Sequence, residues 1–244
     1  MIQLSRTMAA AASFAAALCL AAPASAQSQV SVYYDNFDYT LVDLTPDDGI
    51  DPGISFYGST ITASASTYDS PYGLGTPRST ITDSATYGRV EFAISDGGSS
   101  LTGGYSPTSG SATLFVGHGS ANIAASSIDT FVLAPNTQIT FEVRGILNEL
   151  NGFGGNAAAN LTAIGMLYLK SGTTEYTSSL STGAGDVYDT LSVVVHSGAE
   201  EVYGTLEYRS DLSAQVTPVP EPATTAMMIG GLGLVGALAR RRRR

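Results

Sequence analysis

An all-β domain, built as a β-sandwich or jelly roll of two packed antiparallel sheets, is the fold predicted for residues 27–217, and three observations predict it. Short β-branched and aromatic runs recur between Gly, Pro, Ser and Asp clusters, while long Leu/Glu/Lys/Ala stretches of helical period are missing. Several of those runs alternate apolar and polar residues, the period of a strand with one buried face. Hydrophobic residues make up 43% of the chain and tyrosine occurs 13 times, enough for a packed core and too much for a disordered Ser/Thr stalk. No repeat with a fixed period of about 20–50 residues emerges, which argues against a propeller or β-helix.

In chain order, Val30–Tyr34 and Phe37–Leu44 open the domain, and in the second Phe37, Tyr39 and Leu41 alternate with Asp38 and Thr40. Residues 45–53 (TPDDGIDPG) read as a turn-rich loop, and 54–64 resume the alternation. Residues 68–77 (YDSPYGLGTP) read as a long loop, 89–94 as a strand ended by Asp96-Gly97-Gly98, and 101–110 again as loop. Strand signals then crowd at 111–116, 123–133 and 138–147. Ala134-Pro135-Asn136-Thr137 is expected to turn the last two into a hairpin. Residues 148–156 (NELNGFGGN) read as a flexible loop, 161–169 as a central strand and 173–180 as its polar partner. A second hairpin is expected from 188–196 and 201–208 around Ser197-Gly198-Ala199-Glu200. About ten to twelve strands result, a number that suits two stacked sheets.

Both ends carry targeting patterns. Residues 1–26 place Arg6 before an apolar stretch, Met8 to Ala22, and end in Ala24-Ser25-Ala26, the layout of a secretory signal peptide cut after Ala26. Cys19 follows Leu18 where lipidation needs a small residue, so acylation is discounted. With the peptide removed no cysteine remains, and the exported domain relies on packing and backbone pairing. At the other end Val219-Pro220-Glu221-Pro222 precedes an uncharged run, 223–239, and then Arg240, Arg241, Arg242, Arg243 and Arg244. As a helix that run is roughly 26 Å long, near the lower limit for crossing the hydrocarbon core. The arginines hold the C-terminus on the cytoplasmic side. Each proline lacks an amide donor and biases its predecessor toward extended structure, so the VPEP segment is expected to stand as a non-helical handle outside the membrane.

This three-part tail, residues 218–244, resembles the PEP-CTERM sorting signal of exported proteins of Gram-negative bacteria. The resemblance implies recognition by an exosortase, a membrane-embedded processing enzyme, with signal peptidase acting at the other end. Delivery would be to the cell envelope, cell surface or an exopolysaccharide matrix, and VPEP would be the substrate of that processing.

Between the targeting segments five basic residues face 20 acidic ones, a net charge of −15 that the whole-chain value of −10 conceals. A surface so acidic repels nucleic acid, which is excluded as a partner, and attracts cations. No catalytic constellation emerges. Gly231-x-Gly233-x-x-Gly236 spells a dinucleotide fingerprint but lies in the apolar tail without a strand before it. Gly104-Tyr105-Ser106-Pro107-Thr108 lacks the closing glycine of a nucleophile elbow. His118 and His196 stand without a spaced partner, and Glu200-Glu201 point to opposite faces. The domain therefore reads as non-enzymatic and free of cofactor. Two ligand classes stay open: calcium in the loop holding Asp43, Asp47, Asp48 and Asp51, as in an adhesion module, and a glycan stacked on some of Tyr33, Tyr57, Tyr68, Tyr72, Tyr105, Tyr203 and Tyr208.

Overall fold

A computed structural model describes residues 26–152, 155–170, 172–182, 185–217 and 230–231. The chain divides into two units, Gln27–Thr217 and, separately, Met1–Ala26 with Pro218–Arg244. In the first unit the strands are β1 (Ser28–Asp43), β2 (Ile54–Tyr68), β3 (Ser79–Thr86), β4 (Val90–Asp96), β5 (Ser99–Ser106) and β6 (Ser109–Val116), continuing with β7 (Gly119–Leu133), β8 (Thr137–Asn151), β9 (Gly155–Leu169), β10 (Gly172–Ser181), β11 (Val187–His196) and β12 (Val202–Val216). They form two six-stranded sheets. Sheet A runs β11-β8-β1-β6-β5-β4 and sheet B runs β10-β9-β12-β7-β2-β3, every pairing antiparallel. The sheets stack with β10 over β11, β9 over β8, β12 over β1, β7 over β6, β2 over β5 and β3 over β4.

Several elements differ from the sequence expectation. The first two runs are one strand, β1, whose register shifts between Asp35 and Asp38, with Asn36 at φ 55° in the left-handed region that Asn tolerates. Neither expected hairpin forms. β7 pairs with β12 and β2 in sheet B, while β8 pairs with β1 and β11 in sheet A, so Ala134–Asn136 carry the chain across the sandwich. β11 and β12 likewise lie in opposite sheets. Pro135 and Asn136 do not make the doubly left-handed pair that a two-residue hairpin favours, and only Asn136 has positive φ, 51°. The segment read as loop at 101–110 contains most of β5 and the start of β6, and β8 continues through the expected loop to Asn151. The β3 edge strand carries little strand signal in sequence, since in STITDSAT only Ile81 and Ala85 are apolar. True hairpins join β2–β3, β4–β5, β5–β6 and β9–β10; in the second, Gly97 and Gly98 have φ 55° and 85°, as that tight turn requires.

One end of the sandwich is knitted by these crossings. Ser197, buried at the end of β11, accepts from the Thr137 amide at 2.9 Å and donates to the Ala134 carbonyl at 2.5 Å. The Asn136 amide donates to Gly198 at 2.7 Å, and Leu44 donates to the Asn136 carbonyl at 2.8 Å. Backbone groups freed by leaving the sheets thus regain partners.

The core lies between the sheets. Leu101, Leu114 and Ile139 from sheet A meet Ile61, Phe131, Leu161 and Leu206 from sheet B, all without exposure. A tyrosine cluster fills the middle, with the Tyr34 ring 6.3 Å from Tyr105 and 5.7 Å from Tyr208. Tyr105 exchanges a hydrogen bond with the Ser210 hydroxyl at 2.8 Å, whereas the Tyr34 and Tyr208 hydroxyls are buried without a hydrogen-bond partner among the described residues. Burial drives the Tyr34 and Tyr208 phenols far above their ordinary range and pushes Tyr105 up to about 12.

Candidate functional site

The sorting residues Val219, Pro220, Glu221, Pro222 and Arg240–Arg244 lie outside the described residues, as do positions 1–25 of the expected signal peptide. Of the apolar run 223–239, Gly230 and Gly231 are described, and both are helical. Among the described residues no helix is long and apolar enough to cross a membrane.

The acidic loop is ordered by its own turn chemistry. Asp43 accepts from the Thr45 amide at 2.8 Å, and Asp48 accepts from the Ile50 amide at 2.8 Å, the Thr45 hydroxyl at 2.5 Å and the Asn136 side-chain amide at 2.9 Å. These donors, the Thr45 hydroxyl first, hold the Asp48 carboxyl below its ordinary range. Asp48 therefore links the loop to the β7–β8 crossing through donors that engage both of its oxygens. Among the described residues no group of three or more His, Cys, Asp or Glu is arranged to hold a metal ion. Of the remaining acids, Glu207 is buried on the outward side of β12, where it accepts from Ser126 at 2.9 Å and Arg209 at 3.0 Å. Glu200 forms a surface ion pair with Lys170.

The seven tyrosines singled out from the sequence separate into different places. Tyr105 and Tyr208 are core residues and cannot meet a ligand. Tyr57 and Tyr203 are exposed but pack edge-to-face on each other, with centroids 6.2 Å apart. Tyr68 and Tyr72 wall a 390 Å³ groove on the outer face of sheet B, floored by Asn122, Asn156, Ser213 and Gln215.

Tyr33 stands on the outer face of sheet A, because it alternates along β1 with buried Val32 and Tyr34. Its register row crosses the whole sheet: Tyr188 on β11, Ile146 on β8, Tyr33, Ser111 on β6, Gly104 on β5 and Glu91 on β4. One row further along, Asp35 pairs with Arg144. The guanidinium grips the carboxylate with both arms, Nε to Oδ1 at 3.0 Å and Nη2 to Oδ2 at 2.8 Å, and the Tyr33 hydroxyl donates to the same Oδ2 at 2.6 Å. Asp35 thereby raises the Tyr33 phenol and the Arg144 guanidinium above their usual values, keeping both protonated; the Tyr188 hydroxyl is the second influence on Arg144. Two exposed tyrosines, 40% and 65% accessible, thus flank a fixed donor–acceptor fork. Beyond Tyr33 the surface continues as a 450 Å³ trough with a small-residue floor (Ala93, Thr102, Gly104, Ser111, Thr113) and a rim where Arg89 pairs with Glu91 at 2.7 Å. Sequence reasoning missed Arg144 and Tyr188; nothing in the sequence around Tyr188 places it on the face of Tyr33, since the two share that face only through Ile146 of β8 between them.

The family model of the PEP-CTERM protein-sorting motif matches residues 218–244. No curated protein matches the chain. Among solved structures, the enzymatically active domain of a tailspike protein from bacteriophage CBA120 is 10% identical, with 36% of this chain and 14% of that chain covered and a TM-score of 0.14. An effector protein of the fungal plant pathogen Fusarium oxysporum is 12% identical over 37% of this chain and 64% of its own, with a TM-score of 0.14. A non-toxic crystal protein from Bacillus thuringiensis is 12% identical over 78% of each chain, with a TM-score of 0.12. Likenesses this weak bear on neither fold nor activity.

Proposed function

We propose that this chain, which carries a PEP-CTERM protein-sorting motif at residues 218–244, is exosortase cargo whose β-sandwich is a non-catalytic component of the outer envelope or of an exopolysaccharide matrix. The motif carries the reading: it marks a bacterial protein exported to the cell surface and sorted by an exosortase. Its apolar run would hold the chain in the membrane during processing, with the arginines inside. A structural role for the sandwich is supported by how its acids are engaged. Asp35 and Glu207 are gripped by arginines, Asp48 closes a turn, and Glu91 and Glu200 form surface ion pairs. None is held as a free acid beside a second one.

Cell fractionation tests the delivery. The native chain should be recovered from the surface or the shed matrix, and a variant with Pro220, Glu221 and Pro222 replaced by alanine should accumulate in the inner membrane. Equal distribution of the two would remove the exosortase from the account.

A further inference from the structure

We propose that the outer face of sheet A is a binding platform for a neutral glycan chain, with Tyr33 and Tyr188 as stacking surfaces and the Asp35–Arg144 fork as the polar group between them. The proposal deepens the matrix reading above and rests on it for where such a chain would be met. Tyr33 and Tyr188 are two strand spacings apart, roughly 10 Å, a span suited to successive sugar rings of one extended chain. Because the Tyr33 hydroxyl reaches the residue two places along its own strand, its ring leans along the sheet and offers a face to solvent. Aromatic faces pack against the apolar C–H faces of sugars, and the adjacent fork holds a carboxylate acceptor and guanidinium donors in one fixed geometry for hydroxyl groups. Arg144 needs no further anion, since Asp35 already neutralises it, and the domain's net charge of −15 repels polyanions. A neutral polymer is what remains. The trough over Gly104 and Ser111 continues the same register row, so the chain has room to run past Tyr33. The other aromatic places are weaker: Tyr57 and Tyr203 turn onto each other, and Tyr72 projects from a loop.

The test is calorimetric titration of the full-length protein in detergent micelles with cellohexaose, laminarihexaose and maltohexaose, beside a galacturonate hexamer as the anionic counterpart. At least one neutral hexamer should bind, the galacturonate should bind more weakly, and Tyr33→Ala and Tyr188→Ala should each weaken binding about tenfold. Tyr33→Phe should retain most of the affinity because the ring persists, and Tyr72→Ala should change nothing. Both alanine variants remove outer-face side chains, and an unchanged melting temperature in each would show that binding, not folding, was lost. Failure of all three neutral sugars to bind, preference for galacturonate, or binding lost in Tyr72→Ala but kept in Tyr33→Ala and Tyr188→Ala would overturn the proposal. Such a failure with the protein still found in the shed matrix sinks the platform alone; sugar binding by a protein that never leaves the inner membrane sinks the matrix reading alone.

Discussion

Asp129 and Asp48 respond to their surroundings in opposite ways, and pH separates them. Asp129 faces inward on β7, opposite Leu206 and Ser59, beside the buried Tyr34 and Tyr208 phenols, and is 7% exposed. Burial raises its carboxyl above the ordinary carboxylate range. The folded state therefore holds this proton more tightly than the unfolded chain does. Stability from this site is fully present below the unfolded value and is lost as pH rises through the folded one. Asp129→Asn should raise the melting temperature at neutral pH by roughly 2–4 °C, for a gain of about 1 kcal/mol, with the difference closing toward pH 3. Thermal melts of both proteins across that range decide it; a variant less stable at pH 7 would show that the charged carboxylate is needed. For Asp48 the sign reverses. Its hydrogen bonds lower its carboxyl, so its contribution is present above 3.8 and lost as pH falls through the folded value. Acid should thus loosen the 43–53 loop first, which amide exchange of Ile50 would report.

Elements depend on spaces that glycines leave and on crossings that one serine secures. A Cβ at Gly110 would lie 2.4 Å from a Tyr34 ring carbon and 2.5 Å from one of Tyr105, so the tyrosine cluster requires glycine on β6. Gly110→Ala should cost about 1–3 kcal/mol in urea unfolding, because both rings are packed on all sides. Ser197→Ala removes the hydroxyl between Thr137 and Ala134 and should cost about 1–2 kcal/mol by the same measurement. An effect below a few tenths of a kcal/mol in either would contradict the packing or the crossing described. The same residues show why parts of the architecture were legible and others were not. Ile139–Arg144 alternates cleanly because one face of β8 meets the core and the other meets solvent, and the expected strand is there. Gly103 and Gly104 looked like loop, yet they lie in β5; a Cβ at Gly103 would strike the Phe92 ring at 2.4 Å, so its glycine serves packing. The 134–137 and 197–200 segments look like hairpin turns in sequence because a short polar link looks alike whether it joins neighbours or crosses layers. Which it does depends on partners distant in sequence: β11 and β1 flank β8, β12 and β2 flank β7, and β12 is held between β9 and β7 in the sheet opposite β11. For the candidate face the same limit held: Tyr33 was visible as an aromatic on a strand, but its grouping with Arg144 and Tyr188 exists only once β1, β8 and β11 are in register.

At the scale of the whole molecule, charge and sorting fit one another. The unit Gln27–Thr217 is strongly acidic, while five of the chain's eleven basic residues sit in the arginine tail. A net charge of this size opposes self-association of the acidic unit, and clustered arginines are attracted to anionic lipid headgroups. Function therefore turns on whether the two parts are separated by processing at the PEP motif. The direct measurement is the intact mass of the protein recovered from its native cell surface, beside the variant with Pro220, Glu221 and Pro222 replaced by alanine. The account predicts a native protein lacking both Met1–Ala26 and Arg240–Arg244, and a variant that keeps the arginines. Native and variant proteins that both retain Arg240–Arg244 would contradict it and leave the tail a plain anchor.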